Sequence, residues 1–107
     1  MKDLTDIMTD INKCIDDLET TKLSFTQPRT EILDKLSINY YHLTEHRTQF
    51  HQDWMSVYFN SKANSSAAKE RECDMRVPEL YTLRHTMSSV KLVIDGLRTS
   101  ISANKNQ

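Results

Sequence analysis

Apolar residues in the first part of the chain recur at alternating spacings of four and three: Leu4, Met8, Ile11, Ile15 and Leu18. Side chains at this spacing share one face of an α-helix, and polar residues fill most of the positions between them. Asp3 precedes the pattern and can cap the helix, because its carboxylate accepts hydrogen bonds from the free N–H groups of the first turn. The pattern predicts an amphipathic helix over residues 3–24.

A second and longer pattern follows the segment "SFTQPRTE", in which Pro28 suits the first turn of a helix and Thr26 can cap it. Its members lie three and four residues apart: Leu33, Leu36, Tyr40, Leu43, Arg47, Phe50, Trp54 and Val57. The spacing predicts one helix over residues 28–59, about 45 Å long at 1.5 Å per residue. Arg47 is the only polar member of the seam. A single polar residue on such a seam more often determines the register or the oligomeric state of the helices than it takes part in catalysis.

The stretch "NSKANSS" contains small polar residues and predicts a loop over residues 60–66, where Ser65 or Ser66 can cap the next helix. A third pattern then predicts a helix over residues 67–102. Pro78 lies inside it, either as a kink or as the start of a new helix. The apolar members are Leu80, Leu83, Met87, Val90, Ile94, Leu97 and Ile101.

These patterns predict an all-α protein with a single domain over residues 1–107. A short loop makes its two long helices antiparallel neighbours, so we expect a long helical hairpin with the N-terminal helix packed on it. The low hydrophobic content, 37%, and the single glycine agree with narrow apolar stripes on long helices. A continuous seam of this length is not fully buried within one hairpin, which predicts a homo-oligomer.

Charge is distributed unevenly along the chain. Residues 1–34 carry a net charge of −4 and residues 35–107 a net charge of +3, which suggests two surfaces with different partners. Cys14 and Cys73 fit no disulfide framework and lie on apolar stripes, so we expect both to be reduced and buried. Neither a signal peptide nor an apolar run of membrane-spanning length is present, which predicts a soluble, cytoplasmic protein without a membrane partner.

Signals for catalysis are weak. The segment "HLTEH" places His42 and His46 four residues apart, in the order of an inverted zinc-hydrolase motif. A zinc enzyme also needs a third ligand and a cleft, and a narrow hairpin offers little mass for one, so a polar helix face is the better interpretation. The sequence contains no phosphate-binding glycine loop and no nucleophile motif. We therefore expect no enzymatic activity, no metal site and no cofactor.

The loop region carries the strongest binding signal. Tyr58 and Phe59 are adjacent on a helix, so at least one ring should be exposed near Lys62. Exposed rings beside cations are typical of single-stranded nucleic-acid sites, since bases stack on the rings while phosphates meet the cations. Lys69, Arg71 and Arg76 extend this candidate site. A solvated helix face with internal ion pairs is the alternative interpretation of the same charges.

Three segments, "VYFNSK", "ERECDMRVPEL" and "LVIDGLRTSI", together resemble small helical proteins of tailed phages, in particular the recombination mediator UvsY family of T-even phages. The resemblance spans roughly residues 30–103. It implies an oligomer that binds single-stranded DNA and loads a recombinase onto strands coated with a single-strand-binding protein, in the host cytoplasm. The family's aromatic–turn–base element corresponds to Tyr58, Phe59 and Lys62.

A protein-interaction module is the alternative function, as a coiled-coil adaptor or an inhibitor of a host protein that binds no nucleic acid. Salt distinguishes the two functions, because phosphate contacts weaken steeply as salt rises and apolar helix packing does not.

Overall fold

The computed structural model describes residues 1–20 and 26–105 of the chain, which form four α-helices in this part. Helix α1 spans Leu4–Thr20, α2 spans Thr26–Asn60, α3 spans Ser66–Arg76 and α4 spans Pro78–Lys105. The long helices α2 and α4 pack together, and the molecule is elongated, measuring 60 × 25 × 18 Å. The all-α prediction is confirmed.

Two contacts define the antiparallel course of α2 and α4. Arg29, near the start of α2, donates a hydrogen bond to the Ser100 hydroxyl near the end of α4. At the other end, Trp54 of α2 contacts Asp74, which lies just before α4 in the chain. The two helices therefore run antiparallel as predicted, but the second arm of the predicted hairpin is divided into α3 and α4 instead of being one helix.

Helix α1 packs on α2 through its apolar face and its N-terminal residues. The Asp3 carboxylate accepts a hydrogen bond of 2.7 Å from the Thr5 N–H, so Asp3 caps α1 as predicted. The Lys2 carbonyl oxygen lies 2.6 Å from His46 Nε2, and Lys2 Nζ donates to Asn39 Oδ1 over 3.1 Å. The predicted last turn of this helix falls partly on residues 21–24, which lie outside the described residues.

Helix α2 begins at Thr26, two residues before the predicted start at residue 28. Pro28 lies in the first turn, where its missing N–H has no helical partner to lose.

Pro78 marks a break between two helices. The preceding residue, Val77, has φ −127° and ψ 62°, outside the helical region, because the proline ring disfavours a helical conformation in the residue before it. Helix α3 is capped by Ser65, whose hydroxyl oxygen accepts a 3.1 Å hydrogen bond from Ala68 N–H. Of the two alternatives for Pro78, the structure has the start of a new helix.

The main core lies where α1, α2 and α4 meet, and most of its residues are aliphatic. Its buried members are Ile7, Ile11, Cys14, Ile32, Leu36, Leu43, Leu83, Met87, Val90, Ile94 and Leu97. Both cysteines are free and buried, and burial is the main cause that raises the pKa of each thiol. No described helix has an apolar stretch long enough to cross a membrane.

Arg47 does not interrupt a buried seam, contrary to the interpretation of the sequence. It is exposed, whereas Leu36 and Leu43 are fully buried and Asn39 is 4% exposed. Because α2 packs against both α1 and α4, its buried stripe is wide and is centred on the row of Leu36 and Leu43. Arg47 lies four residues from Leu43 and occupies the edge of this stripe, facing solvent.

Candidate nucleic-acid interface

Three bases on α4 follow one another at seven-residue spacing: Arg84, Lys91 and Arg98. Residues seven apart lie on the same side of a helix, about 10.5 Å from each other. All three are exposed, and each directly follows a buried residue of the core. None of the three forms an ion pair with any residue in the described part of the chain.

A cleft between α2 and α4 brings one of these bases to α2. Arg84 lines this cleft of about 230 Å³ together with Arg47, Thr48 and His51. No acidic side chain of the described residues lines it, and Arg47 forms no ion pair there. Two guanidinium groups therefore share one exposed cleft without a carboxylate, an arrangement that repels cations and attracts anions.

Aromatic rings continue from this cleft along α2 toward the loop. The His51 and Trp54 rings are stacked with centroids 6.5 Å apart and an interplanar angle of 7°. The next pair, Trp54 and Tyr58, is stacked at 5.7 Å and 14°. Lys69 of α3 places its ammonium group 5.5 Å from the centroid of the Tyr58 ring, within the range of a cation–π contact.

These side chains form one surface along an edge of the hairpin, which we call the basic strip. Its members are Arg47, His51, Trp54, Tyr58, Lys69, Arg84, Lys91 and Arg98. Among the residues that the structure describes, two acids lie close to its members. The Asp74 carboxylate accepts a 3.0 Å hydrogen bond from the Trp54 indole N–H, and Asp95 is an exposed residue between Lys91 and Arg98 in sequence.

The acidic helix α1 lies on the other flank of α2. It contacts α2 at Asn39 and His46, which directly precede Tyr40 and Arg47 in the chain. Consecutive helical residues point about 100° apart, so α1 and the basic strip occupy different sides. Residues 1–20 carry six acids and two lysines, and the strip carries five bases. The folded molecule thus separates its charge laterally, across the hairpin.

The six residues predicted from the sequence do not form one site. Tyr58 and Lys69 are in contact and belong to the basic strip. Phe59 is 74% exposed and meets the edge of Tyr58 at a centroid distance of 6.0 Å and an angle of 89°. The structure therefore brings these three side chains together and confirms that one ring of the adjacent pair is exposed.

Lys62, Arg71 and Arg76 lie elsewhere on the loop and on α3. Lys62 and Arg76 line a separate cleft of about 480 Å³ that also contains Glu72. This carboxylate accepts a hydrogen bond from the Ser61 hydroxyl and pairs with Arg76 at 3.4 Å, so the cleft carries its own counter-charge. Arg71 lines a shallow groove with Arg76 and the exposed Met75.

The site predicted from the sequence leaves out six members of the basic strip: Arg47, His51, Trp54, Arg84, Lys91 and Arg98. The seven-residue spacing of the three α4 bases is a signal that the sequence offers directly. The apolar spacing assigns Arg47 and Trp54 to the seam of α2, and only the position of α4 against α2 shows that they lie at its edge.

The two histidines of "HLTEH" have separate partners. His42 Nδ1 lies 3.0 Å from Glu45 Oε1 within α2, while His46 contacts the Lys2 carbonyl oxygen. In the described part of the chain, no three His, Cys, Asp or Glu side chains are grouped so that they could hold a metal ion. The motif therefore serves the packing of α1 and the polar surface of α2.

Comparison of the chain with protein-family models, with curated proteins and with solved structures finds no match.

Proposed function

We propose that this protein is a non-enzymatic accessory protein of DNA recombination or replication, which binds single-stranded DNA along the basic strip. The observation that carries the proposal is the row of exposed basic side chains on one edge of the hairpin, which continues into a row of stacked aromatic side chains. Basic side chains that lack ion-pair partners in the described residues are available to phosphates, and each such contact releases counterions from the nucleic acid.

The rings favour a single strand over a duplex. Phe59 is largely exposed, and Tyr58 is partly exposed next to Lys69. A ring can stack on a base only when the base is not already stacked and paired within a duplex. A strand lying on the strip would place phosphates near Arg47 and Arg84 and bases near Tyr58 and Phe59.

Binding by one copy would be modest, because the whole chain has a net charge of −1. We propose that the protein acts as a homo-oligomer, in which several strips engage one strand and their weak contacts combine. The distal part of the α2 seam supports this proposal: Phe50 and Val57, which are not members of the basic strip, are only half-buried within one chain. A second copy would complete their burial.

The mediator role is a further part of the proposal, carried by the resemblance and by the separation of charge. With DNA on the basic strip, the acidic surface of α1 stays free for a basic region of a partner protein. A recombinase or a single-strand-binding protein is the proposed partner. The proposed location is the cytoplasm, which is the host cytoplasm if the chain is phage-encoded.

Fluorescence anisotropy of a labelled oligo-dT strand tests the DNA site. We expect the double variant Arg47→Ala/Arg84→Ala to bind about tenfold or more weakly at low salt, because two phosphate contacts are lost. Lys13→Ala/Lys35→Ala is the matched control: it removes the same charge from exposed positions near α1 and should bind like the wild type. Equal weakening by both pairs would reject the strip as the site.

The same titration separates the DNA proposal from the protein-interaction alternative. A DNA-binding protein loses affinity for oligo-dT steeply between low and physiological salt. A wild-type protein that binds no oligo-dT at low salt would leave the interaction module as the better function.

A further inference from the structure

We infer that α3 is a lid over the aromatic end of the basic strip: it opens as a unit and uncovers the Trp54 and Tyr58 rings. The coupling of this opening to DNA rests on the proposed function. The opening itself is a property of the protein alone.

Helix α3 buries little of its own surface in the molecule. It has 11 residues, and Cys73 is the only residue of this helix that is buried. That residue is not part of the main core shared by α1, α2 and α4. A helix this short has little stability of its own and depends on its contacts with α2, so it belongs to the least stable part of the fold.

The aromatic end of α2 is covered by α3 and not by α4. Arg47 of α2 and Arg84 of α4 face one cleft, so they lie opposite each other. Because the two helices are antiparallel, the residue six positions after Arg47, which is Asp53, lies opposite the residue six positions before Arg84, which is Pro78. Helix α4 begins at Pro78. Trp54 and Tyr58 therefore lie beyond the start of α4. Their neighbours across the hairpin belong to α3.

Two polar contacts hold α3 on these rings. The Asp74 carboxylate accepts the hydrogen bond of the Trp54 indole N–H, and the Lys69 ammonium lies over the Tyr58 ring. Both contacts are at the protein surface, so water can replace them when they break.

The ends of α3 allow it to move as one body. Its N-cap and its last turn use groups of its own segment: Ser65 accepts from Ala68 N–H, and Val77 N–H donates to the Cys73 carbonyl oxygen over 2.8 Å. Opening therefore leaves the helix capped. The loop before Ser65 and the non-helical Val77 are the two points at which the backbone direction changes.

Opening would exchange protein contacts for DNA contacts of the same kind. A base can stack on the Tyr58 ring that Lys69 covers in the closed state, and Lys69 can then pair with a phosphate. Asp74 moves away with α3, which removes a negative charge from the path of the strand. The closed lid would block access of nucleobases to the two rings, and the open lid would allow unpaired nucleobases to stack on them.

Hydrogen exchange of the backbone amides tests the opening on the protein alone. We expect the amides of Lys69–Arg76 to share one protection factor, about tenfold or more below that of the α2 amides between Leu36 and Phe50. Protection of α3 equal to that of the α2 core would overturn the inference.

A matched pair of variants tests the contact that holds the lid. Asp74→Ala removes the partner of Trp54 and should lower α3 protection by about three- to tenfold, the effect of losing one ordinary hydrogen bond at the protein surface. Glu70→Ala removes the same charge from an exposed position of α3, without a hydrogen bond or ion pair in the described residues, and should leave protection unchanged. Equal effects of the two variants would contradict the role of Asp74.

Saturating oligo-dT then tests the coupling. We expect α3 protection to fall in the complex and Asp74→Ala to bind oligo-dT more tightly than Glu70→Ala does. If oligo-dT binds but α3 protection rises or stays constant, the inference that α3 acts as a lid for DNA is contradicted, whereas the proposed DNA site is not. If oligo-dT does not bind, the proposed function fails, and the exchange data on the protein alone still decide whether α3 opens.

Discussion

Arg47 of α2 and Arg84 of α4 line the same cleft, although the hairpin brings them together from distant parts of the chain. Their like charges repel each other, and no carboxylate among the described residues lines the cleft to compensate. A pair of this kind weakens the fold slightly. An anion such as a DNA phosphate that binds between the two side chains would compensate their repulsion.

Arg84→Glu should therefore have opposite effects on stability and on binding. The new carboxylate would face Arg47, and we expect a gain of about 0.2–1 kcal/mol in the free energy of unfolding, the range for an exposed ion pair. Affinity for oligo-dT should fall. Arg98→Glu is the control, since it makes the same charge change away from Arg47 and should weaken binding without this gain. Urea unfolding and anisotropy measure the two quantities, and a loss of stability with unchanged binding would contradict the assignment.

Trp54 is the single tryptophan of the chain and lies in the middle of the ring series. Its emission should change when a single strand binds, because a base that stacks near Trp54 or displaces Asp74 alters the environment of the indole. A duplex of the same length should have a smaller effect at equal nucleotide concentration. Fluorescence titration with both ligands checks this, and identical responses would argue against contacts between bases and rings.

Leu43 supports the core where α2 meets its neighbours. It is fully buried, and Leu43→Ala should lower the free energy of unfolding by about 2–5 kcal/mol, since it removes buried contacts and leaves a cavity. Leu92, 74% exposed on α4, allows the same substitution at the surface, with an expected change within about 0.5 kcal/mol. Urea denaturation compares the two variants. Similar losses would mean that the outer face of α4 is covered in solution.

The carboxyl of Asp10 should titrate at a pH below its ordinary pKa. Its contact with the Lys2 ammonium is the main cause that lowers the pKa of this carboxyl. A carboxyl whose pKa is lowered in the folded state stabilises the fold at pH values above its ordinary pKa. This contribution is lost as the pH falls through the lowered pKa. NMR titration of the Asp10 carboxyl should show a rise in its pKa in Lys2→Ala. No change in that variant would exclude the contact in solution.

The helical elements follow from the sequence because apolar spacing alone specifies an amphipathic helix. Pro78 was ambiguous for a physical reason: proline is tolerated both at a kink and in a first turn, and only the Val77 backbone distinguishes them. The candidate site was predicted in part. Tyr58 and Phe59 are neighbours in sequence, so their exposure could be inferred locally. The cleft of Arg47 and Arg84 depends on the register of α2 against α4, which neither helix specifies by itself.

The salt dependence of oligo-dT binding tests the central claim most directly. If the five basic residues of the strip contact phosphates, the logarithm of the affinity should fall with the logarithm of the salt concentration with a slope of roughly −3.5 for each strip that engages the strand, and Arg47→Ala/Arg84→Ala should reduce its magnitude by about 1.4 per strip. Lys13→Ala/Lys35→Ala should keep the wild-type slope. The same slope for all three proteins would contradict the claim that the basic strip binds the strand.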